Sequence, residues 1–163
     1  MDRLKYAALF VLVACTACGY SGRALLPSHI KTVYIPPFVN DTTRSGIEQD
    51  ITTAVTDAFV ADGRLRVVAE GEADSVLRGV IIKYETGPLT FDRAQTVNEF
   101  KVEVAVSVEF EDVREGKILW KEDQFRAWKS YQQDLGPTAE GDAFTTVVGT
   151  LSSDIVSRTV EGW

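Results

Sequence analysis

Thiol and imidazole chemistry is nearly absent from this chain of 163 residues, which holds two cysteines, Cys15 and Cys18, and one histidine, His29. A metal cage of Cys and His ligands, or a Cys–His nucleophile pair, needs those groups in the folded body. Both cysteines fall within the first 18 residues, so no metal or cofactor is expected. His29, beside Pro27 and Ser28, reads as a surface or turn residue. Carboxylates pair up at Glu70 and Glu72, at Asp112 and Glu115, and at Glu140 and Asp142. They fall in turn-forming or solvent-facing stretches, where charges are simply hydrated rather than tuned for proton transfer. No Gly-rich phosphate loop, G-x-S-x-G elbow or H-E-x-x-H motif occurs. No catalytic residue is nominated, and the chain does not read as an enzyme. Asn40-Asp41-Thr42 fits a glycosylation acceptor but is plain turn chemistry.

The cysteines suit a different reaction, acylation. Residues 1–17 carry a short basic start (Arg3, Lys5) and a compact apolar run from Tyr6 to Ala14. That run is shorter than the ~20 residues a helix needs to span a bilayer and fits a cleaved signal sequence. A cysteine after small residues at its end resembles the lipobox of bacterial lipoproteins. Leu12-Val13-Ala14-Cys15 matches the four-residue pattern. Thr16-Ala17-Cys18 leaves no stray thiol in the mature chain and precedes Gly19-Tyr20, so Cys18 is the preferred lipidation site. The following Gly19, rather than Asp, implies sorting to the outer membrane, lipid-anchored on its periplasmic side. At about 0.8 kcal/mol per buried CH₂, two or three acyl chains hold firmly without a basic patch.

The formal charge is −7, and the leader's +1 leaves −8 on the mature part. That balance argues against nucleic acid, which selects basic surfaces. Residues 18–30 read as a lipidated tether, with Gly19, Gly22 and Pro27 as breakers, and 31–163 as one domain. Lys31 to Pro36 is a short strand stopped by Pro36-Pro37. Ser45-Gly46-Ile47-Glu48 reads as a capping box, Ser45 opening a helix whose apolar stripe is Ile47, Ile51, Ala54, Val55, Ala58 and Phe59. Gly63 is a natural left-handed stop. Strands follow at 64–69 and 76–84. From Asn98 to Val113, Phe100, Val102, Val104, Val106, Val108 and Phe110 alternate with polar residues, which excludes a helix. The next strand, from Lys117 to Tyr131, slips phase between Trp120 and Phe125 and predicts a bulge. A last helix aligns Phe144, Val147, Val148, Leu151, Ile155 and Val160. Two amphipathic helices and one half-polar meander predict a two-layer α+β sandwich: both helices on one face of a mixed, mainly antiparallel sheet of four to five strands.

Two features stand out from this frame. The connection Glu85 to Val97, about a dozen residues between long strands, carries Leu89, Phe91 and Arg93, and hairpin loops that long tend to be functional. The aromatic series Trp120, Phe125, Trp128 and Tyr131 crosses the phase slip, so its members cannot share one face. Some are left for a partner.

Residue by residue, the mature chain resembles the LptE family of lipopolysaccharide-assembly lipoproteins. The likeness rests on Cys18-Gly19-Tyr20, Leu26-Pro27, the run Ile30 to Thr42 (IKTVYIPPFVNDT), Gly46-Ile47-Glu48 and Asp62-Gly63-Arg64-Leu65. It continues through Ala73-Asp74, Val76-Leu77-Arg78-Gly79, Glu99-Phe100 and Gly116-Lys117-Ile118-Leu119-Trp120. The resemblance implies a sandwich of the kind just derived, acting not as an enzyme but as a plug and assembly partner of the outer-membrane β-barrel LptD, and binding lipopolysaccharide. It puts Arg93 at the place of a basic residue tied to lipopolysaccharide binding, with Phe91 beside it as a lipopolysaccharide or barrel contact. The chain departs from the family in having no Lys or Arg from Ser130 to Ser157, which bears on direct lipopolysaccharide binding rather than on the plug role. The residues also fit a free-standing lipid- or ligand-binding lipoprotein, which would need an apolar pocket between helices and sheet.

Overall fold

The computed structural model describes residues 26–91, 97–132 and 138–162. Six strands and two long helices occur in the order β1 (Thr32–Tyr34), β2 (Val39–Asn40), α1 (Ile47–Asp62), β3 (Arg66–Val67), β4 (Ser75–Phe91), β5 (Val97–Asp112), β6 (Lys117–Tyr131) and α2 (Ala139–Val160). The strands form one sheet ordered β3-β1-β4-β5-β6, with β2 also beside β4. β1 runs parallel to β3 and β4, while β4, β5 and β6 form an antiparallel meander. This is the expected two-layer α+β sandwich, with β2 added to the strands foreseen. No helix among the described residues is long and apolar enough to cross a membrane.

The alternation in β5 decides the layering. Val102, Val104, Val106, Val108 and Phe110 are fully buried and face both helices. α1 adds Ile47, Ile51, Val55 and Phe59, and α2 adds Ala143, Val147, Leu151 and Ile155. Burying a Val, Leu, Ile or Phe side chain contributes about 1.5–3 kcal/mol, so these ridges hold the helices on the sheet. On β4 the helix side shows Leu77, Gly79 and Ile81, then Tyr84 after a bulge at Ile82. Gly79 is required by Phe38: a Cβ there would lie 2.0 Å from the Phe38 ring, which is itself buried after Pro36-Pro37 turn the chain inward.

Two local expectations change. The helix N-cap is Gly46 in the left-handed region, at φ 91°, not Ser45. Glu48 does reach back, its Oε2 accepting from the Gly46 amide at 3.1 Å and from Asn40 Nδ2 at 2.9 Å. Asn40 has displaced Ser45 as the local organiser: its Oδ1 also accepts from Thr42 N and Oγ1. The second change is the supposed dozen-residue loop. Backbone pairing continues out to Phe91 and Val97, because a two-stranded ribbon needs no buried face to keep its ladder. Gly63 stops α1 as expected, at φ 73°. The bulge in β6 also falls where the phase slips, two residues, Asp123 and Gln124, facing the single Ser107.

Candidate functional site

Three polar constellations sit at different places on the sheet. At its base, Asp112 ends β5 with no exposed surface. Its Oδ1 accepts from the amides of Arg114 and Glu115 at 2.9 and 3.1 Å, and its Oδ2 meets His29 Nε2 at 2.6 Å. Burial would push this carboxyl up, but the Glu115 amide, His29 and the Arg114 amide outweigh it and hold Asp112 below the usual carboxylate range. Asp112 is therefore not the hydrated member of a solvent-facing pair that its sequence neighbourhood implies. Beside it, Asp74 Oδ2 accepts from Lys31 N, Thr32 N and Thr32 Oγ1 at 3.0, 3.2 and 3.0 Å. The Lys31 amide, then Thr32, holds that carboxyl low as well. Ser75 Oγ completes the set by donating to Thr32 O at 2.8 Å. His29, Asp112 and Glu115 offer three ligand atoms within 4.8 Å of one another. Asp112's oxygens are already satisfied by these protein donors, so the cluster is a lock on the incoming chain.

At the mouth between the helices, Tyr84 OH donates to Glu140 Oε1 at 2.9 Å, and the Arg44 guanidinium lies 5.2 Å from the Tyr84 ring centre. Burial and the Glu140 bond push the Tyr84 phenol up to about 12. Phe144 meets Tyr84 edge-on, with ring centres 5.8 Å apart. These residues line a cleft of about 200 Å³. The tyrosine stays protonated at neutral pH, and the mouth clamps the helix starts together.

The third constellation covers the sheet face turned away from the helices. Glu103, 8% exposed, stands directly opposite Glu85 on β4 and Trp128 on β6. Facing carboxylates repel, and Lys83 Nζ offsets this by bridging Glu103 at 3.0 Å and Glu85 at 2.7 Å. Lys101 Nζ closes on Glu103 from the other side at 2.7 Å. The two lysines, Lys101 foremost, hold Glu103 below its usual range. Trp128 stands at this ladder 58% exposed.

The aromatic series splits as the phase slip requires. Trp120 packs inward between Phe110 and Phe125, Tyr131 stacks on Phe100 at 5.7 Å, and Trp128 faces out. Of the residues nominated from sequence, Cys18 and Arg93 lie outside the described residues. Phe91 ends β4, its backbone paired with Val97. Beyond Phe100, which pairs with the last residue of β6, Tyr131, β4 and β5 continue among the described residues as a two-stranded ribbon. No local pattern announces the His29–Asp112 pair, which joins positions 83 residues apart.

Solved structures share this architecture. A minor lipoprotein of Acinetobacter baumannii is 18% identical, with 80% of this chain and 92% of that one covered at a TM-score of 0.56. An uncharacterised lipoprotein of Nitrosomonas europaea is 17% identical, with 87% and 90% covered at 0.61. A hypothetical protein of Chlamydia trachomatis is 13% identical, with 80% and 95% covered at 0.57. At such identities the likeness shows the fold alone. No curated protein matches the sequence. The model of the LptE lipopolysaccharide-assembly family matches residues 30–159, which take in all six strands, α1 and nearly all of α2, and the chain belongs to that family.

Proposed function

We propose that this chain is an outer-membrane lipoprotein, acylated at Cys18, that plugs an LptD-type β-barrel, assists its assembly and serves lipopolysaccharide transport to the cell surface. The observation that carries this reading is the family match over residues 30–159. The packing supports it. A plug needs a solid body that works through its outside, and the helix–sheet interface is filled by fully buried Val, Leu, Ile and Phe side chains. The clefts open outward, as in the groove of about 500 Å³ between the exposed flanks of α1 and α2. A free-standing lipid carrier calls instead for an enclosed apolar chamber. The β4–β5 ribbon ends at Phe91, paired with Val97, far from the base; on this reading Phe91 and Arg93 are the residues that touch lipopolysaccharide or the barrel lumen.

The test is a pulldown of the full-length, membrane-extracted protein with the bound partner identified by mass spectrometry. A barrel recovered at near-equal amount supports the plug, and Arg93→Glu then lowers lipopolysaccharide or barrel engagement. A clean pulldown without a barrel, under conditions that keep other outer-membrane complexes intact, leaves the free-standing carrier as the better account.

A further inference from the structure

The sheet ends unequally on its two sides. β3, one edge, is two residues long. β6, the other, runs 15 residues and pairs only with β5 among the described strands. Alternate residues of an edge strand turn their N–H and C=O groups outward, and about 50 Å of such edge, at ~3.3 Å per residue, invites another strand unless it is guarded. β6 contains no proline. Register shifts at Leu119 and at Asp123 and Gln124 interrupt it without closing it, leaving Phe125–Tyr131 as its longest regular stretch.

Charge then narrows what can add. The whole chain carries −7, yet β6 has four cations, Lys117, Lys121, Arg126 and Lys129, against Glu122 and Asp123. Lys121 pairs with Asp123 at 3.1 Å. Among the described residues Lys117, Arg126 and Lys129 have no carboxylate in ion-pair range, and Arg126 reaches only Gln124. By register, Arg126 and Trp128 share the face of Ala105 and Glu103, while Lys129 shares the face of Val102. A second copy would lay one cationic edge along another, at an electrostatic cost. An acidic strand would meet a cation on each of its faces and an exposed indole beside one of them.

We propose that the β6 edge is the docking surface for an extended, acidic segment of the partner protein, added to the sheet as a further strand. Its carboxylates lie against Arg126 on one face and Lys129 on the other, with an apolar side chain on Trp128. This rests on the reading that the chain works bound to a barrel protein.

The experiment places a photoreactive amino acid singly at Lys117, Arg126 and Lys129, and at Val60 and Asp57 on α1 as controls, in the full-length, membrane-extracted protein. Adducts from 126 and 129 are expected to map to one stretch of about ten partner residues containing at least two acids, consistent with strand spacing, with the α1 positions giving none there. In parallel, the combined change Lys117→Glu, Arg126→Glu and Lys129→Glu lowers partner recovery about tenfold or more, through like-charge repulsion. Partner adducts arising only from α1, adducts to a second copy or to lipopolysaccharide in place of protein, or recovery unchanged within about twofold in a folded reversal variant each overturn the strand proposal while leaving the plug intact. Failure of the unsubstituted chain to recover any barrel overturns both. If the reversal variant does not fold, the adduct map decides alone.

Discussion

The two ends of the β4–β5 pair are held in opposite ways. At the base, β1 flanks the pair at Ser75 and Val76, β6 flanks it from Lys117, and Asp74 and Asp112 tie down the backbone of Lys31, Thr32, Arg114 and Glu115. At the far end, past Phe100 and Tyr131, neither β1 nor β6 is present, and among the described residues the two strands pair only with each other. Stability is thus invested at the end where the chain enters, and the opposite end is left free to be shaped by what it touches. Changes at the base are therefore expected to move stability, and changes at the ribbon to move binding.

The largest effect is expected from Asp112→Ala, which strands His29 and two amides around a fully buried position. Removing one partner of such a set costs on the order of 3 kcal/mol, read as a lower urea midpoint at unchanged slope. A loss under about 0.5 kcal/mol, the range of ordinary surface changes, would break the idea of a base lock. Next comes Gly79→Ala, where the new methyl meets the buried Phe38 ring at 2.0 Å. Overpacking of this kind costs about 1–3 kcal/mol, and Phe38→Leu in the same chain should recover part of it.

A third test uses pH. Asp74, Glu103 and Asp112 are all held low, so the unfolded chain binds their protons first. Their contribution is complete above ordinary carboxylate values, about 3.9–4.3, and is lost as pH falls through the lower folded values. Urea midpoints should fall with acidity below about pH 4, and Asp112→Asn should flatten that limb. An equally steep limb in the variant would assign the acid sensitivity elsewhere. The smallest stability effect is expected from Leu89→Ser on the ribbon, where Leu89 is 38% exposed: within about 0.5 kcal/mol. Hydrogen exchange sharpens the contrast, since amides at 89–91 should open well below the global unfolding free energy while those at 75–81 should not.

What could be read from the sequence was what periodicity encodes. The buried half of β5 and the stripes of α1 and α2 appear in the residue order because each buries one face against a single layer. The β6 slip showed for the same reason: a bulge is an error in period. Features set by distant partners stayed hidden. Nothing near Asp112 announces a histidine 83 residues earlier, and nothing near Gly46 shows that Asn40 will orient Glu48. The ribbon was hidden by Gly87 and Pro88, which read as loop residues. β4 has lost its flanking strands there, so one of its edges is open and a proline costs no ladder bond. Of the site residues, the sequence foresaw an outward-facing aromatic, but it named neither the Glu103 ladder nor the β6 cations.

The base lock also sets a length. His29 is pinned to Asp112, so the chain joins the body at one end of β4, and Phe91, the last of its 17 residues, stands at the other. At ~3.3 Å per residue that span is about 50 Å, slightly more than the ~40–45 Å of a bilayer with its headgroups. On the proposed function, a chain moored at its base is then a gauge as well as a wedge. Turned upright, it would measure out the membrane's own thickness between its mooring and its far end.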